Sequence, residues 1–251
     1  MEKITSRRNP ICVHMKNLGA SRSYREDNRE FLCDGLKLLE EAVKSGAVVS
    51  NVLASSHLPF PLPVDTRVCF TDRGIIDSIS PLKNAQNTLF TVKMPPSGGF
   101  VNDSGTYILL DGVQDPGNVG TIIRTAYAFG MKGVLLTGAC ADRYNPKTIR
   151  ASMGAIFRQN IDYMTIEELT KLSVNGVEFV GAVPGETDTD FSHIAPKNAV
   201  IAIGSEGQGL SEEILSLCTK NMSIPTSPDC ESLNAAVAAA IIMWESYKCL
   251  H

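Results

Sequence analysis

Apolar positions along the chain recur with two periods, and each change of period marks an element boundary. Over residues 35–44, Leu36, Leu39, Ala42 and Val43 fall at helical spacing, which predicts an amphipathic helix. Short strands are predicted at 30–33, 48–54 and 88–92, a further helix at 10–18, and a proline-punctuated loop at 57–63. From residue 106 on, the signals alternate more regularly. Strands are predicted at 107–110, 133–136, 157–161, 177–182, 199–203 and 222–224, and helices at 118–129, 146–153, 166–172, 211–217 and 233–247. Strands rich in Val, Ile and Leu that alternate with helices imply a mostly parallel sheet covered on both faces. Ligands of such sheets sit beyond the carboxyl ends of the strands.

Between the two patterns runs Lys93-Met94-Pro95-Pro96-Ser97-Gly98-Gly99, whose prolines and glycines disfavour helix and central strand alike. This predicts a small α/β domain over residues 1–95, a linker at 96–105 and a larger α/β domain over 106–251. No run approaches about 18 apolar residues, and the opening MEKITSRRNP has no apolar stretch of the kind a secretory signal needs, so a soluble cytoplasmic protein is expected. Seven cysteines without a C-x-x-C pair fit neither a disulfide framework nor a zinc site, and the four histidines lack ligand spacing, so no metal is expected.

Charge changes the picture further. Residues 1–95 hold 13 Lys+Arg and 10 Asp+Glu, and residues 96–251 hold 10 and 17, so segments of +3 and −7 make up the formal −4. A basic first third (Arg7, Arg8, Arg22, Arg25 and Lys37 among its cations) is where a polyanion would be gripped. From charge alone, the solvated basic face is the slightly favoured reading.

Three segments carry candidate chemistry. In the first, residues 111–124, Asn118 stands at a plausible helix N-cap. On the helical wheel, Val119, Ile122, Ile123, Ala126 and Phe129 form one stripe. Arg124 points away from it, beside Gly117, Gly120, Thr121 and Ala128, which leaves room for a phosphate or ribose. The alternative is an ordinary surface arginine. In the second, a buried strand at 199–203 runs into Gly204-Ser205-Glu206-Gly207-Gln208-Gly209-Leu210 and then a helix capped by Ser211. Its G-x-x-G-x-G spacing and its carboxylate do not suit a dinucleotide phosphate; they suit a neutral or cationic ligand approached by backbone, or a turn whose glycines supply positive φ. In the third, Ile224-Pro225 leads through Ser232, Leu233 and Asn234 into a helix apolar on all sides, which must be covered all round, by a second subunit among others. Ser232 and Asn234, polar groups at the mouth of that helix, are read as capping it or contacting ligand, with capping the expected role of Ser232.

Together and in this order the three segments resemble the signature of SpoU-type, or TrmH-like, RNA 2′-O-ribose methyltransferases of the SPOUT superfamily. The resemblance rests on N-x-G-x-x-R at 118–124, I-G-S-E-G-x-G-L-S at 203–211 and I-P…S-L-N…A-A-A-I at 224–241. Ser6-Arg7-Arg8-Asn9-Pro10, with Tyr24-Arg25 and residues 35–42, is similar to the family's substrate-binding domain, which resembles ribosomal protein L30e. The resemblance implies a SPOUT domain with a C-terminal trefoil knot behind a small L30e-like domain, a homodimer, and S-adenosylmethionine as cofactor. It places Thr137, Gly138, Ile203, Gly204, Glu206, Gly207, Ile224 and Leu233 around the cofactor. Asn118, Arg124, Glu206, Ser232 and Asn234 stand at the catalytic edge. RNA, ribosomal rather than transfer, is the implied substrate, with Arg7, Arg8, Arg22, Arg25, Lys37 and Arg124 as its contacts. The third segment departs from the family pattern: Thr226 replaces a common Met, Pro228-Asp229 stands where Gly-Gly is frequent, and Ala235-Ala236 where Val-Ser is frequent.

Methylation of a ribose needs the 2′-oxygen aligned behind the methyl group and opposite the sulfur, with loss of its proton and no metal. A guanidinium resists deprotonation, so Arg124 is expected to hold a phosphate rather than act as base. Two other classes stand beside this reading. A catalytically silent RNA-binding paralogue would bind no cofactor. A dinucleotide-dependent oxidoreductase would need the G-x-G-x-x-G after the first strand, which is missing.

Overall fold

The computed structural model describes residues 2–96, 105–185, 199–227, 229 and 232–250. Most of the expected linker (97–104), together with His193 and Pro228, lies outside the described residues. The chain divides into two compact units, Met1–Pro96 with Tyr144–Arg158, and Ser97–Arg143 with Gln159–His251.

The first unit runs β1 (Glu2–Ile4), α1 (Pro10–Ala20), α2 (Arg22–Asn28), β2 (Glu30–Asp34), α3 (Leu36–Lys44), β3 (Val49–Ala54), β4 (Arg67–Thr71), α4 (Arg73–Ile79) and β5 (Thr88–Lys93). Its sheet order is β1-β4-β3-β5-β2, with β5 antiparallel to both neighbours and the remaining pairs parallel. Asn9 caps α1 ahead of Pro10, whose missing N–H is one the first turn leaves unpaired anyway. Met15, Leu18, Leu32, Leu53, Ile76 and Leu89 meet in the core. Periodicity did not predict β1, α2, β4 or α4: they are three to seven residues long, too short for a repeat to declare itself.

The second unit begins with β6 (Thr106–Asp111), α5 (Pro116–Ala128) and β7 (Gly133–Thr137). The next stretch belongs to the first unit. It holds α6 (Pro146–Ser152), capped by Asn145, and a 3-10 turn at Ala155–Phe157, so that the strand expected at 157–161 begins only at Ile161. Tyr144 stacks on Phe31 at 4.4 Å between centroids, and Arg158 pairs with Glu41 at 2.8 Å. The second unit resumes with β8 (Ile161–Tyr163), α7 (Ile166–Val174), β9 (Glu178–Ala182), β10 (Ala199–Gly204), α8 (Glu212–Leu217), β11 (Lys220–Met222) and α9 (Ala235–Leu250).

All six strands of this unit are parallel, in the order β11-β9-β10-β6-β7-β8. Leu109, Leu135, Phe179, Val200, Ala202 and Ile214 pack on one face. Full burial of a side chain such as Phe179 contributes about 1.5–3 kcal/mol. From β6 the chain moves outward to β7 and β8; it then crosses to β9 and inserts β10 between β9 and β6. The β6/β10 pair is therefore the topological switch point, and this is where parallel sheets hold their ligands. Among the described residues no helix is long and apolar enough to cross a membrane.

Candidate active site

Register brings the strand ends together. Gly204 closes β10 opposite Asp111 at the end of β6, and Asp111 stands opposite Thr137 at the end of β7. The loops after all three strands therefore leave from one edge of the sheet. The Gly112 amide donates to the Thr137 carbonyl at 3.2 Å, and the Ala141 amide to the Val113 carbonyl at 2.9 Å, joining the first two loops. The Cys140 thiol donates to the carbonyls of Leu110 (3.2 Å) and Thr137 (3.1 Å). Burial pushes that thiol's pKa up, which keeps the proton it donates.

The third loop is a tight turn. Ser205 and Gly209 exchange backbone hydrogen bonds at 3.1 and 3.0 Å. A Cβ on Gly204 would lie 2.0 Å from the carbonyl carbon of Gly209, so only glycine lets the two backbones approach. Gly209 supplies positive φ (69°), while the space beside Gly207 is open. The turn that the glycines could supply is present, with Gly209 at positive φ. Ser211 caps α8 through the Ile214 amide, as the sequence indicates.

Asp115, not Asn118, caps α5: its carboxylate accepts the Asn118 amide at 2.9 Å, and Pro116 takes the first helical position. The Asn118 side chain is thereby released. Its Nδ2 donates to Glu206 Oε1, and its Oδ1 accepts from Asn234 Nδ2 at 3.2 Å. Asn234 in turn caps α9, its Oδ1 accepting from the amides of Ala236 (3.0 Å) and Val237 (3.2 Å). The cap expected at Ser232 belongs to Asn234 because the helix starts two residues later than predicted, at Ala235. Three residues from three segments, separated by up to 116 positions, thus form one polar chain: Asn234 to Asn118 to Glu206.

Other expected residues are distributed around this chain. Thr137 and Ile203 are buried at their strand ends, Ile224 and Leu233 are half-buried, and Gly138 is exposed with φ 61°. Ser232 is exposed. Arg124 is exposed on α5 and has no hydrogen-bond or ion-pair partner among the described residues. Its surroundings differ from the wheel: Gly120 is buried, and a Cβ on Gly117 would meet the Asp115 carboxylate at 2.8 Å. Arg7, Arg8 and Lys37 are exposed, and Arg22 pairs with Glu26 at 2.8 Å. Arg25 is withdrawn from the RNA set. It is 4% exposed, and its Nη1 donates to the Leu18 carbonyl at 2.6 Å, satisfying the end of α1.

Asp111 was not singled out in the sequence, although it ends an otherwise apolar buried strand. It is 7% exposed, and its Oδ2 accepts the Ser211 amide at 2.7 Å. An acid closing a strand that reads Thr-Tyr-Ile-Leu-Leu was the available signal.

Residues 105–244 match the SpoU rRNA methylase family. The chain belongs to that family. This SpoU family member is 29% identical to the 23S rRNA (guanosine(2553)-2′-O)-methyltransferase RlmP of Bacillus subtilis, over 97% of this chain and 98% of the relative. Its fold matches the AdoMet-bound rRNA methyltransferase from Sinorhizobium meliloti with a TM-score of 0.87 at 27% identity, covering 100% and 98% of the two chains. It matches the SpoU methyltransferase AviRb from Streptomyces viridochromogenes, in complex with AdoMet, with a TM-score of 0.85 at 27% identity over 96% and 98%.

Proposed function

We propose that this chain transfers a methyl group from S-adenosylmethionine to a ribose 2′-hydroxyl of ribosomal RNA. The observation that carries the reading is the Asn234–Asn118–Glu206 chain, set at the switch point of a parallel sheet in a SpoU family member. The residues present fit the cofactor. Gly207 leaves backbone open to an approaching ligand, Gly138 is exposed at the end of β7, Gly204 draws two strands of the loop together, and Ile203, Ile224 and Leu233 supply apolar contact. Bound there, S-adenosylmethionine supplies an electrophilic methyl group. The departures at Thr226 and Ala235-Ala236 stand outside the Asn234–Asn118–Glu206 chain.

The protein's own contribution is alignment and charge placement. Asn118 is fixed from both sides, by Glu206 and by Asn234, so an incoming sugar meets donors and acceptors that need no reorganisation. Arg124 is a guanidinium unengaged by described residues, suited to hold an RNA phosphate bidentately. The 2′-hydroxyl proton then passes to that phosphate, since the guanidinium itself does not accept protons. DNA lacks the hydroxyl and is not a substrate.

The homodimer reading is supported by exposed apolar groups on two packed helices. Val237 and Trp244 on α9 and Tyr127 on α5 are 49%, 46% and 48% exposed, and Trp244 and Tyr247 stack near Phe129. The trefoil knot is supported by the insertion of β10 between β9 and β6, followed by the return of α9 onto α5 and β10. The L30e-like character of the first unit rests on the sequence resemblance, and a cytoplasmic location on the ribosomal substrate. The deciding experiment incubates the protein with labelled S-adenosylmethionine and total RNA and maps the product nucleotide. A 2′-O-methylated ribosomal nucleotide is expected; label on a base, on transfer RNA alone, or on no RNA would overturn the reading.

A further inference from the structure

The functional reading uses the loop after β7, where Thr137 and Gly138 stand, and leaves unused what holds that loop in place. Gly138 and Ala139 are exposed, Cys140 is buried, and Ala141, Asp142 and Arg143 are half-buried. Ala141 is pinned through both polar atoms of its backbone. Its amide donates to the Val113 carbonyl at 2.9 Å, and its carbonyl accepts from the Tyr163 hydroxyl at 3.3 Å. The first bond ties the loop to the segment after β6, and the second ties it to β8, on the other side of β7.

The second tie is part of a larger clasp. β8 is a three-residue edge strand, paired with β7 alone among the described strands. Arg143 reaches every residue of it. Its Nη1 donates to the Ile161 carbonyl and lies 3.7 Å from Asp162 Oδ1, and the guanidinium carbon stands 5.4 Å from the centre of the Tyr163 ring, within cation–π range. The Tyr163 hydroxyl also accepts the Arg143 amide at 3.4 Å. The Arg143 side chain is 13% exposed, so its charge is committed to the strand rather than offered to RNA. Steadying an edge strand needs the guanidinium alone; the Tyr163 hydroxyl instead reaches back to the loop and spans Ala141 and Arg143.

We propose that Tyr163 and Arg143 are positioning residues for the cofactor: acting through Ala141, they hold the exposed peptide groups of Gly138 and Ala139 in the geometry that binds S-adenosylmethionine. The inference deepens the methyltransferase reading and rests on it for the identity of the ligand. It adds two residues from outside the three motif segments, and neither needs to touch the cofactor. A loop fixed before its ligand arrives loses less freedom on binding, and the difference appears as affinity. Gly138 and Ala139 offer backbone and no charged side chain, so they do not sense the charge on sulfur. The clasp therefore acts equally on S-adenosylmethionine and on S-adenosylhomocysteine, which lacks the methyl group and its charge.

The test is isothermal titration of the full chain with each of the two ligands, together with amide hydrogen exchange of the unliganded protein. Tyr163→Phe removes the hydroxyl and keeps the ring beneath the guanidinium, so the fold is retained, which thermal unfolding verifies. It is expected to weaken both ligands about fivefold, the order that loss of neutral hydrogen bonds produces, and to speed exchange over 138–143. Arg143→Ala should weaken both by about 10-fold or more. Arg143→Lys, which keeps the charge beside Asp162 but not the planar fork, should recover part of that loss. In methylation assays the Tyr163→Phe defect should fall on KM for S-adenosylmethionine, with kcat and KM for RNA within about twofold of wild type. Wild-type affinity for both ligands in a folded Tyr163→Phe protein would overturn the inference. So would a loss confined to S-adenosylmethionine, which places the effect at the sulfonium, or a fall in kcat and Tm with KM unchanged, which makes the clasp a support of the fold alone. If the wild-type protein binds neither ligand, the methyltransferase reading fails and the inference with it. If wild type binds and methylates RNA while Tyr163→Phe matches it in every respect, only the inference fails.

Discussion

The carboxylate of Asp111 accepts the backbone amide of Ser211, 2.7 Å away and 100 residues later in the chain. The bond ties the exit of the glycine loop to the end of β6, while a Cβ on Gly138 would come within 3.3 Å of the other carboxylate oxygen. One buried acid therefore borders the loops on both sides of the switch point. A hydrogen bond to such a charged group contributes about 1.5–3 kcal/mol. Asp111→Ala should weaken S-adenosylmethionine binding by an order of magnitude or so, measured by titration calorimetry. Asp111→Asn keeps an acceptor for the Ser211 amide and should recover most of the loss. Equal affinities for the alanine variant and wild type would show that the tether does not shape the site.

Asn234 has two tasks that substitution can separate. Its Oδ1 caps α9, and its Nδ2 donates to Asn118. Asn234→Asp keeps a strong N-cap but removes the donor, so Tm should change little while methylation falls sharply. Asn234→Ala loses both, with an added stability cost of about 1 kcal/mol. Calorimetric unfolding and a methylation assay on the two variants decide the point: full activity in the aspartate variant would remove the polar chain from the mechanism.

Arg124 is expected to act only when RNA is present. Arg124→Ala should abolish methylation and leave S-adenosylmethionine affinity within about twofold of wild type, because no described residue depends on its side chain. Arg124→Lys keeps the charge without the bidentate fork and should retain only a small fraction of the rate. A wild-type turnover number in the alanine variant excludes the phosphate-holding role.

The parts of the site legible in the sequence were those set by local backbone chemistry: the glycine loop, the Ser211 cap and the strand ends that the parallel pattern aligns. What escaped depends on contacts between distant positions. Asp115 takes the cap expected of Asn118 because Pro116 defines where the helix begins, and only then is the Asn118 side chain left to meet Glu206. Charge alone could not separate Arg25, buried against the Leu18 carbonyl, from its exposed neighbour Arg22. Nor does periodicity tell that residues 144–158 pack on Phe31 and Glu41, since a helix reads the same whichever core receives it.

The apolar surface on α9 leads to a prediction about assembly. Trp244 and Val237 are too exposed for a helix that is apolar on all sides, and a second copy of the chain is the proposed cover. Trp244→Glu puts a charge in that contact and should shift sedimentation from dimer toward monomer. Sedimentation of the wild-type protein as a monomer at micromolar concentration would rule the dimer out.

Glu30 sets a pH dependence in the first unit. It is 3% exposed, and its Oε2 contacts His14 Nε2 at 2.9 Å and Lys93 Nζ at 3.4 Å. Burial alone would raise its pKa, but His14 first, then the Ser50 and Thr91 hydroxyls, and last the Lys93 ammonium together outweigh it and hold the carboxyl below its ordinary value of 4.5. A depressed folded-state value means that the native form binds the proton more weakly than the unfolded chain does. The associated stability is therefore complete above 4.5 and lost as pH falls through the folded-state value. Urea unfolding of the full chain should show stability declining below about pH 4.5, and Glu30→Gln should flatten that decline while lowering stability at neutral pH. An unchanged acid limb in the glutamine variant would assign the pH dependence to other carboxylates.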